Sequence, residues 1–142
     1  ILHAKYALQI ATGYMDIVRK LPSVVHVNTQ QSGKITVVGD LHGQLRDLIH
    51  IFRHNGMPSF DNPYLFNGDL VDRGDYSVEI VLLLFGFAVA DPGSVYINRG
   101  NHEDMTVCTG YDLGVPRCCG AFTPSTRLVS IRRGRGWFLF RF

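Results

Sequence analysis

Three short polar stretches hold the residues of this chain that can do chemistry together: Gly39-Asp40-Leu41-His42-Gly43, Gly68-Asp69-Leu70-Val71-Asp72-Arg73-Gly74 and Arg99-Gly100-Asn101-His102-Glu103. Each follows an apolar run of strand character, so each falls where a strand gives way to a loop. Asp, His and Asn gathered at such points suit a pair of divalent cations such as manganese, iron or zinc. An arginine and a second histidine then remain for a substrate. Hydrolysis of a phosphate ester calls for this set: positive charge on the phosphoryl oxygens, an activated water, and a proton for the leaving group.

The first stretch spaces Asp40 and His42 by one residue, which on an extended segment brings both side chains out on one side. Asp69 offers a carboxylate whose two oxygens can bridge two ions, and Asn101 offers a carbonyl oxygen. Two ions about 3.5–4 Å apart can share a water and lower its pKa towards neutrality. His102, oriented by a carboxylate such as Asp72, can protonate a leaving alkoxide. Arg73 presents a planar, two-pronged donor to phosphate oxygens. A lone Asp at a strand end is more often a turn former, and Asp-x-His occurs by chance. Only the ordered set of three is informative. His50 and His54 lie four apart on a helical pattern without the acidic partner of a zinc-protease helix, and read as surface residues. His3 and His26 have no chemical company in the sequence.

The elements that must position these residues follow from periodicity. Leu2, Tyr6, Ile10, Tyr14, Ile17 and Val18 predict a helix within residues 1–20, stopped by Pro22. Strands are predicted at Val24 to Val27, Lys34 to Val38, Tyr64 to Phe66 and Val95 to Ile97. Gln44 to His54 carries Leu45, Leu48, Ile49 and Phe52 on one face and is closed by Asn55-Gly56. Tyr76 to Ala90 is an apolar helix ended by Asp91-Pro92-Gly93. Strand–helix–strand–helix–strand with a chemical stretch after each strand is the order of βαβ units. In such sheets, ligands collect beyond the carboxyl ends of the strands.

At 142 residues the chain suffices for one domain with a core. Ile80 to Ala90, its longest apolar stretch, falls short of the roughly 20 residues needed to span a bilayer, so no transmembrane segment is expected. Ile1 in place of Met predicts that the start of the gene product lies outside the sequence. The formal charge of +2 hides an asymmetry: residues 1–104 hold eight Lys or Arg against eleven Asp or Glu (net −3), and residues 105–142 hold six Arg and one Asp (net +5). Cys108, Cys118 and Cys119, clustered and odd in number, give no disulfide framework, and a reducing, cytoplasmic or nuclear setting is expected. From Arg127 to Phe142, Arg alternates with apolar and aromatic residues. One reading is a surface for nucleic acid or membrane. The favoured reading is a stretch outside the native frame or cut at an exon edge, with no nucleic acid expected as a partner.

The three stretches resemble the signature of the phosphoprotein phosphatase family of Ser/Thr phosphatases, within the calcineurin-like metallophosphoesterases. The match to Gly-Asp-x-His-Gly-Gln, Gly-Asp-x-Val-Asp-Arg-Gly and Arg-Gly-Asn-His-Glu extends to Asp104, about three quarters of the chain. Asn55-Gly56-Met57-Pro58-Ser59 and Asn62 to Asp69 are similar as well, most of all to the branch with C-terminal EF-hands (the retinal degeneration C type), and next to the tetratricopeptide-bearing phosphatase. The resemblance implies an α/β fold, the N-terminal βαβαβ part of a four-layer αββα sandwich, incomplete here. It implies a phosphoprotein substrate, two divalent metal ions (manganese, iron or zinc), and calcium regulation through EF-hands outside this chain. Carried over residue by residue, Asp40 and His42 would bind the first metal, Asp69 would bridge, and Asn101 would bind the second metal and lie against the substrate. His102 would be the proton donor, Asp72 its orienting carboxylate and Arg73 a phosphate clamp, with water held between the metals attacking phosphorus directly.

The family completes its second metal site with two later histidines, whereas this chain has none after His102. Tyr111 stands at the spacing of the family's Tyr-Gly-Phe, but Asp112-Leu113 follows it, and the likeness ends there. Residues 1–113 are therefore expected to be the N-terminal part of the catalytic domain, and residues 114–142 a divergent Arg/Cys-rich tail outside the native-like core. Two functional readings stand: a metal-dependent Ser/Thr phosphatase, or a truncated, catalytically incomplete product lacking the second-metal histidines.

Overall fold

The computed structural model describes residues 2–104, 128–133 and 136–140. Helix α1 (Ala4–Lys20) leads into strand β1 (Val24–Asn28). Then come β2 (Thr36–Val38), α2 (Leu45–Asn55), β3 (Tyr64–Phe66), α3 (Ser77–Ala90) and β4 (Val95–Ile97), followed by β5 (Leu128–Arg133) and β6 (Gly136–Phe140). The βαβαβ order expected from periodicity is observed, with β3 and β4 at the expected bounds and the other elements of residues 1–97 within a few residues of theirs.

Local chemistry accounts for the helix ends. The His3 ring nitrogen accepts the Lys5 N–H at 3.2 Å, and Arg19 and Lys20 set positive charge at the C-terminal end of α1, where it opposes the helix dipole. Leu21 turns extended because the following Pro22 disfavours helical backbone. Helix α2 ends at Gly56, whose φ of 85° a side-chain-bearing residue would resist.

Strands β2, β3 and β4 form a parallel sheet in that order, Thr36 to Val38 facing Tyr64 to Phe66, which face Val95 to Ile97. All three residues of β3 are fully buried, because both of its faces are covered. Tyr64 and Phe66 point to the helical side, in a cluster with Leu48 and Phe52 of α2 and Ile80, Leu84 and Phe85 of α3. Tyr14 of α1 joins by stacking on Phe85, ring centroids 3.9 Å apart. Leu65 points the other way, into a cluster with Val27, Val129 and Ile131 of a second sheet. Fully burying a side chain of this size contributes about 1.5–3 kcal/mol. Burial also pushes the Tyr64 hydroxyl above its ordinary range, so it stays protonated and donates to the Gly56 carbonyl at 2.6 Å.

The second sheet has the order β1–β5–β6, with β5 parallel to β1 and β6 antiparallel to β5. Helices, inner sheet and second sheet give three layers among the described residues, the α/β architecture expected for part of a four-layer sandwich. β5 and β6 fall within the stretch from residue 114 onward that the sequence sets apart, and Val129 and Ile131 of β5 are buried. Tyr111 and the three cysteines lie outside the described residues. No described helix is long and apolar enough to cross a membrane.

Candidate metal and phosphate site

The three chemical stretches leave β2, β3 and β4 at the same end of the inner sheet, because all three strands run parallel. The first loop is stitched onto the second: Leu41 N–H and His42 N–H both donate to the Asp69 carbonyl, at 3.0 and 2.9 Å, and Gly43 N–H donates to Leu70 at 2.9 Å. Gly43 and Gly74 touch backbone to backbone, so a Cβ on Gly74 would sit 2.5 Å from the His42 carbonyl oxygen. Gly68 and Gly100 bring the second and third loops equally close, a Cβ on Gly68 colliding with the Gly100 nitrogen. Side chains at these crossings would drive the loops apart.

Asp40, His42 and Asp69 converge, each offering one ligand atom within 4.8 Å of the others. Their convergence has a different origin from the extended spacing expected of Asp40 and His42. His42 has φ of 41°, so the chain turns at that residue, and the buried Leu41 anchors the turn. The His42 Nε2 lies 3.8 Å from Asp40 Oδ2. Its Nδ1 is 2.9 Å from the Val71 carbonyl oxygen, which can only accept, so Nδ1 carries the proton and Nε2 keeps its lone pair for a cation. Asp69 Oδ1 accepts the His102 N–H at 2.9 Å, which leaves Oδ2 for the shared space. Metal bonds of about 2.0–2.2 Å place donors no more than about 4.4 Å apart, so the group fits one cation after a closure of a few tenths of an ångström. Two carboxylates and an imidazole are the donor set of a manganese, iron or zinc ion.

A second pair stands beside this group. His102 Nδ1 donates to Asp72 Oδ2 at 2.9 Å, and both side chains are largely buried. That bond fixes the ring and turns Nε2 towards Arg73, whose Nη2, a donor only, lies 3.5 Å away. The His42 and His102 rings meet edge to face with centroids 4.7 Å apart, so proton-donor and cation positions adjoin. Arg73 is exposed, its guanidinium at the mouth of the site. Asn101 is exposed at the neighbouring turn, its backbone carbonyl accepting the Asp104 N–H at 3.2 Å.

Backbone strain marks the same residues. His42, Asp69, Asp72 and Arg73, at φ of 41°, 50°, 68° and 65°, are the non-glycine residues with positive φ among those described. Each such conformation costs about 1–3 kcal/mol and persists where surrounding contacts over-determine it, as at ligand-binding sites. No residue-type pattern announces it. His50 and His54 lie exposed on α2 with ring centroids 4.3 Å apart, away from the convergent group. His3 serves as a helix cap.

Sequence reasoning gave Glu103 no role, although it closes the third stretch. It is almost fully buried, and its carboxylate accepts three backbone N–H groups. A carboxylate directly after two site residues is the signal that could have marked it. Arg99 is likewise tied down, donating to Asp104 Oδ2 at 2.6 Å.

The family described as calcineurin-like phosphoesterase matches residues 33–138. Serine/threonine-protein phosphatase 5 of Arabidopsis thaliana is 52% identical over 106 residues, 75% of this chain and 20% of that protein. Serine/threonine-protein phosphatase with EF-hands 1 of Mus musculus is 45% identical over 111 residues, 78% of this chain and 17% of that protein. The chain thus spans about a fifth of the curated relatives it matches. A solved serine/threonine phosphatase from Saccharomyces cerevisiae, similar to human phosphatase PP5, superposes with a TM-score of 0.83 at 32% identity, covering 92% of this chain and 46% of that one. The resemblance to Ser/Thr phosphatases, the EF-hand branch among them, is borne out. By motif, fold and family match together, the chain belongs to the calcineurin-like phosphoesterases.

Proposed function

We propose that this chain supplies the cation-binding and proton-donating part of a phosphatase that hydrolyses phosphoserine and phosphothreonine esters. The convergence of Asp40, His42 and Asp69 beside the His102–Asp72 pair carries the reading. Asp40, His42 and the free oxygen of Asp69 would hold the first cation, and Asp69 with Asn101 would serve half of a second site. When bound, the cations supply positive charge at the phosphoryl oxygens and lower the pKa of a bound water. Arg73, exposed at the mouth of the site, grips the equatorial phosphate oxygens with two parallel N–H bonds. With Arg73 turned onto the phosphate and a proton taken from solvent at Nε2, His102 would give that proton to the seryl alkoxide as it leaves, while Asp72 accepts from Nδ1 and holds the ring in place. The buried flank formed by Leu41, Leu70 and Val71 keeps these groups fixed. Calcium control through EF-hands outside this chain fits the EF-hand relative.

A second reading rests on the absence of histidine after His102: the chain as it stands holds one cation and does not turn over. Metal counting on the purified chain, together with phosphate release from a phosphoserine peptide in manganese, decides between them. Two tightly held ions and release that stops on chelation support the phosphatase reading of the chain itself. One ion without release supports the second. Release that persists after complete metal removal contradicts both.

A further inference from the structure

We propose that Glu103 is a positioning residue that sets Asp69 and His102 relative to each other, and that both of its side-chain oxygens are required as acceptors. The inference rests on the metal-site reading above and extends it to a residue outside the ligand set. Glu103 Oε1 accepts the Leu70 N–H at 2.7 Å, and Oε2 accepts the N–H groups of Asp69 and Gly100 at 2.9 and 2.8 Å. One side chain therefore clasps both flanking amides of the second loop and the amide that begins the third. Glu103 is 1% exposed, and no ion pair to it forms among the described residues. Among the described residues, three backbone N–H groups meet its two oxygens, an arrangement suited to a carboxylate.

The two amides on the β3 side are those of Asp69, held at φ of 50°, and of Leu70 directly after it. Bonds to both sides of the Asp69 Cα hold that residue in a conformation it would otherwise leave. The Gly100 amide starts the loop that carries Asn101 and His102, and the His102 N–H returns a bond to Asp69 Oδ1. Two carboxylates thus cross-link the two loops in opposite directions, 69 to 102 and 103 to 69. Gly68 and Gly100 leave no space between the loops for a different arrangement.

Two acceptor oxygens are essential to the clasp because all three partners are donors. A glutamine of the same shape offers one oxygen and an NH2 group. Whichever way that amide is turned, the NH2 faces a backbone N–H, either Leu70 or the Asp69 and Gly100 pair. Aspartate keeps the charge but is one methylene shorter, and does not span both loops.

The test compares the 142-residue chain with Glu103→Gln and Glu103→Asp, reading amide hydrogen exchange without metal and manganese affinity by calorimetry. Glu103→Gln is expected to lose protection about 10-fold or more at Asp69, Leu70 and Gly100, while Leu48 and Phe85 in the core keep theirs. Manganese affinity is expected to fall by about 10–100-fold, the usual cost of losing a group that orients a metal ligand. Unchanged affinity in a folded variant would overturn the proposal, since a merely structural role moves stability and leaves the folded site intact. Global loss of protection in both variants overturns it too, by making Glu103 a general stabiliser. If the parent chain binds no manganese, the metal-site reading itself fails, and the exchange pattern alone decides whether Glu103 clasps the loops.

Discussion

Asp69→Asn is expected to leave the chain folded and to lower its manganese affinity by at least about 100-fold, with phosphatase turnover lost alongside. Asparagine has the shape of aspartate, and its oxygen can still accept the His102 N–H that Asp69 Oδ1 accepts at 2.9 Å. The link between the second and third loops therefore survives. What disappears is the negative charge of the second oxygen, placed among ligand atoms that lie within 4.8 Å of one another. Loss of outer orienting groups already costs about 10–100-fold in metal affinity or activity, so loss of a ligand in the proposed bridging position is expected to cost more. Calorimetric titration with manganese, checked against an unchanged circular dichroism spectrum, measures it. An affinity within about threefold of the parent would remove Asp69 from the ligand set.

His102→Asn is expected to separate binding from chemistry. Manganese affinity stays within about 10-fold, because His102 lies beside the convergent group of Asp40, His42 and Asp69 and is not part of it. Turnover of a phosphoserine peptide falls by about 10²–10⁴-fold, the range set by loss of a general acid. Hydrolysis of p-nitrophenyl phosphate falls far less, since a nitrophenolate departs without a proton and a seryl alkoxide does not. The geometry behind this contrast is the 2.9 Å bond from His102 Nδ1 to Asp72, which leaves Nε2, on the Arg73 side, as the nitrogen proposed to meet the leaving group. Steady-state kinetics on both substrates read it directly. Equal losses on the two would assign His102 to phosphate binding.

The two predictions draw on parts of the site that were unequally legible in the sequence. Asp40, His42, Asp69, Asp72, Arg73 and His102 could be named from residue type and position at strand ends, because parallel strands deliver their carboxyl ends to one edge. Strands β3 and β4 were legible for a related reason: short apolar runs flanked by Pro63, Gly68 and Pro92-Gly93 leave little choice of boundary. How the ligands meet was not legible. Alternation along a strand would have turned Asp40 and His42 the same way, but His42 takes a left-handed conformation held by bonds from Leu41 and His42 N–H to the Asp69 carbonyl. Those bonds join residues almost thirty apart in sequence, and no local pattern encodes them.

The position of Glu103 after Asn101 and His102 could have marked it, but what it does was illegible for a similar reason. Its partners are backbone amides of Asp69, Leu70 and Gly100, and a backbone amide has no residue type to read. The pairing of β1 with β5 crosses a hundred residues, from Val24 facing Leu128 to Asn28 facing Arg132. Arginine mixed with apolar and aromatic residues from Arg127 to Phe142 is compatible with an exposed basic strip or with a buried strand, and Val129, Ser130 and Ile131 are in fact buried, Val129 and Ile131 in a cluster with Leu65.

Crystals of the chain soaked in zinc and measured at the zinc absorption edge test the central claim most directly. An anomalous peak about 2.0–2.2 Å from His42 Nε2 and from carboxylate oxygens of Asp40 and Asp69 is the expected result. A peak elsewhere, on the His50 and His54 pair for instance, with Asp40, His42 and Asp69 bare, would contradict it.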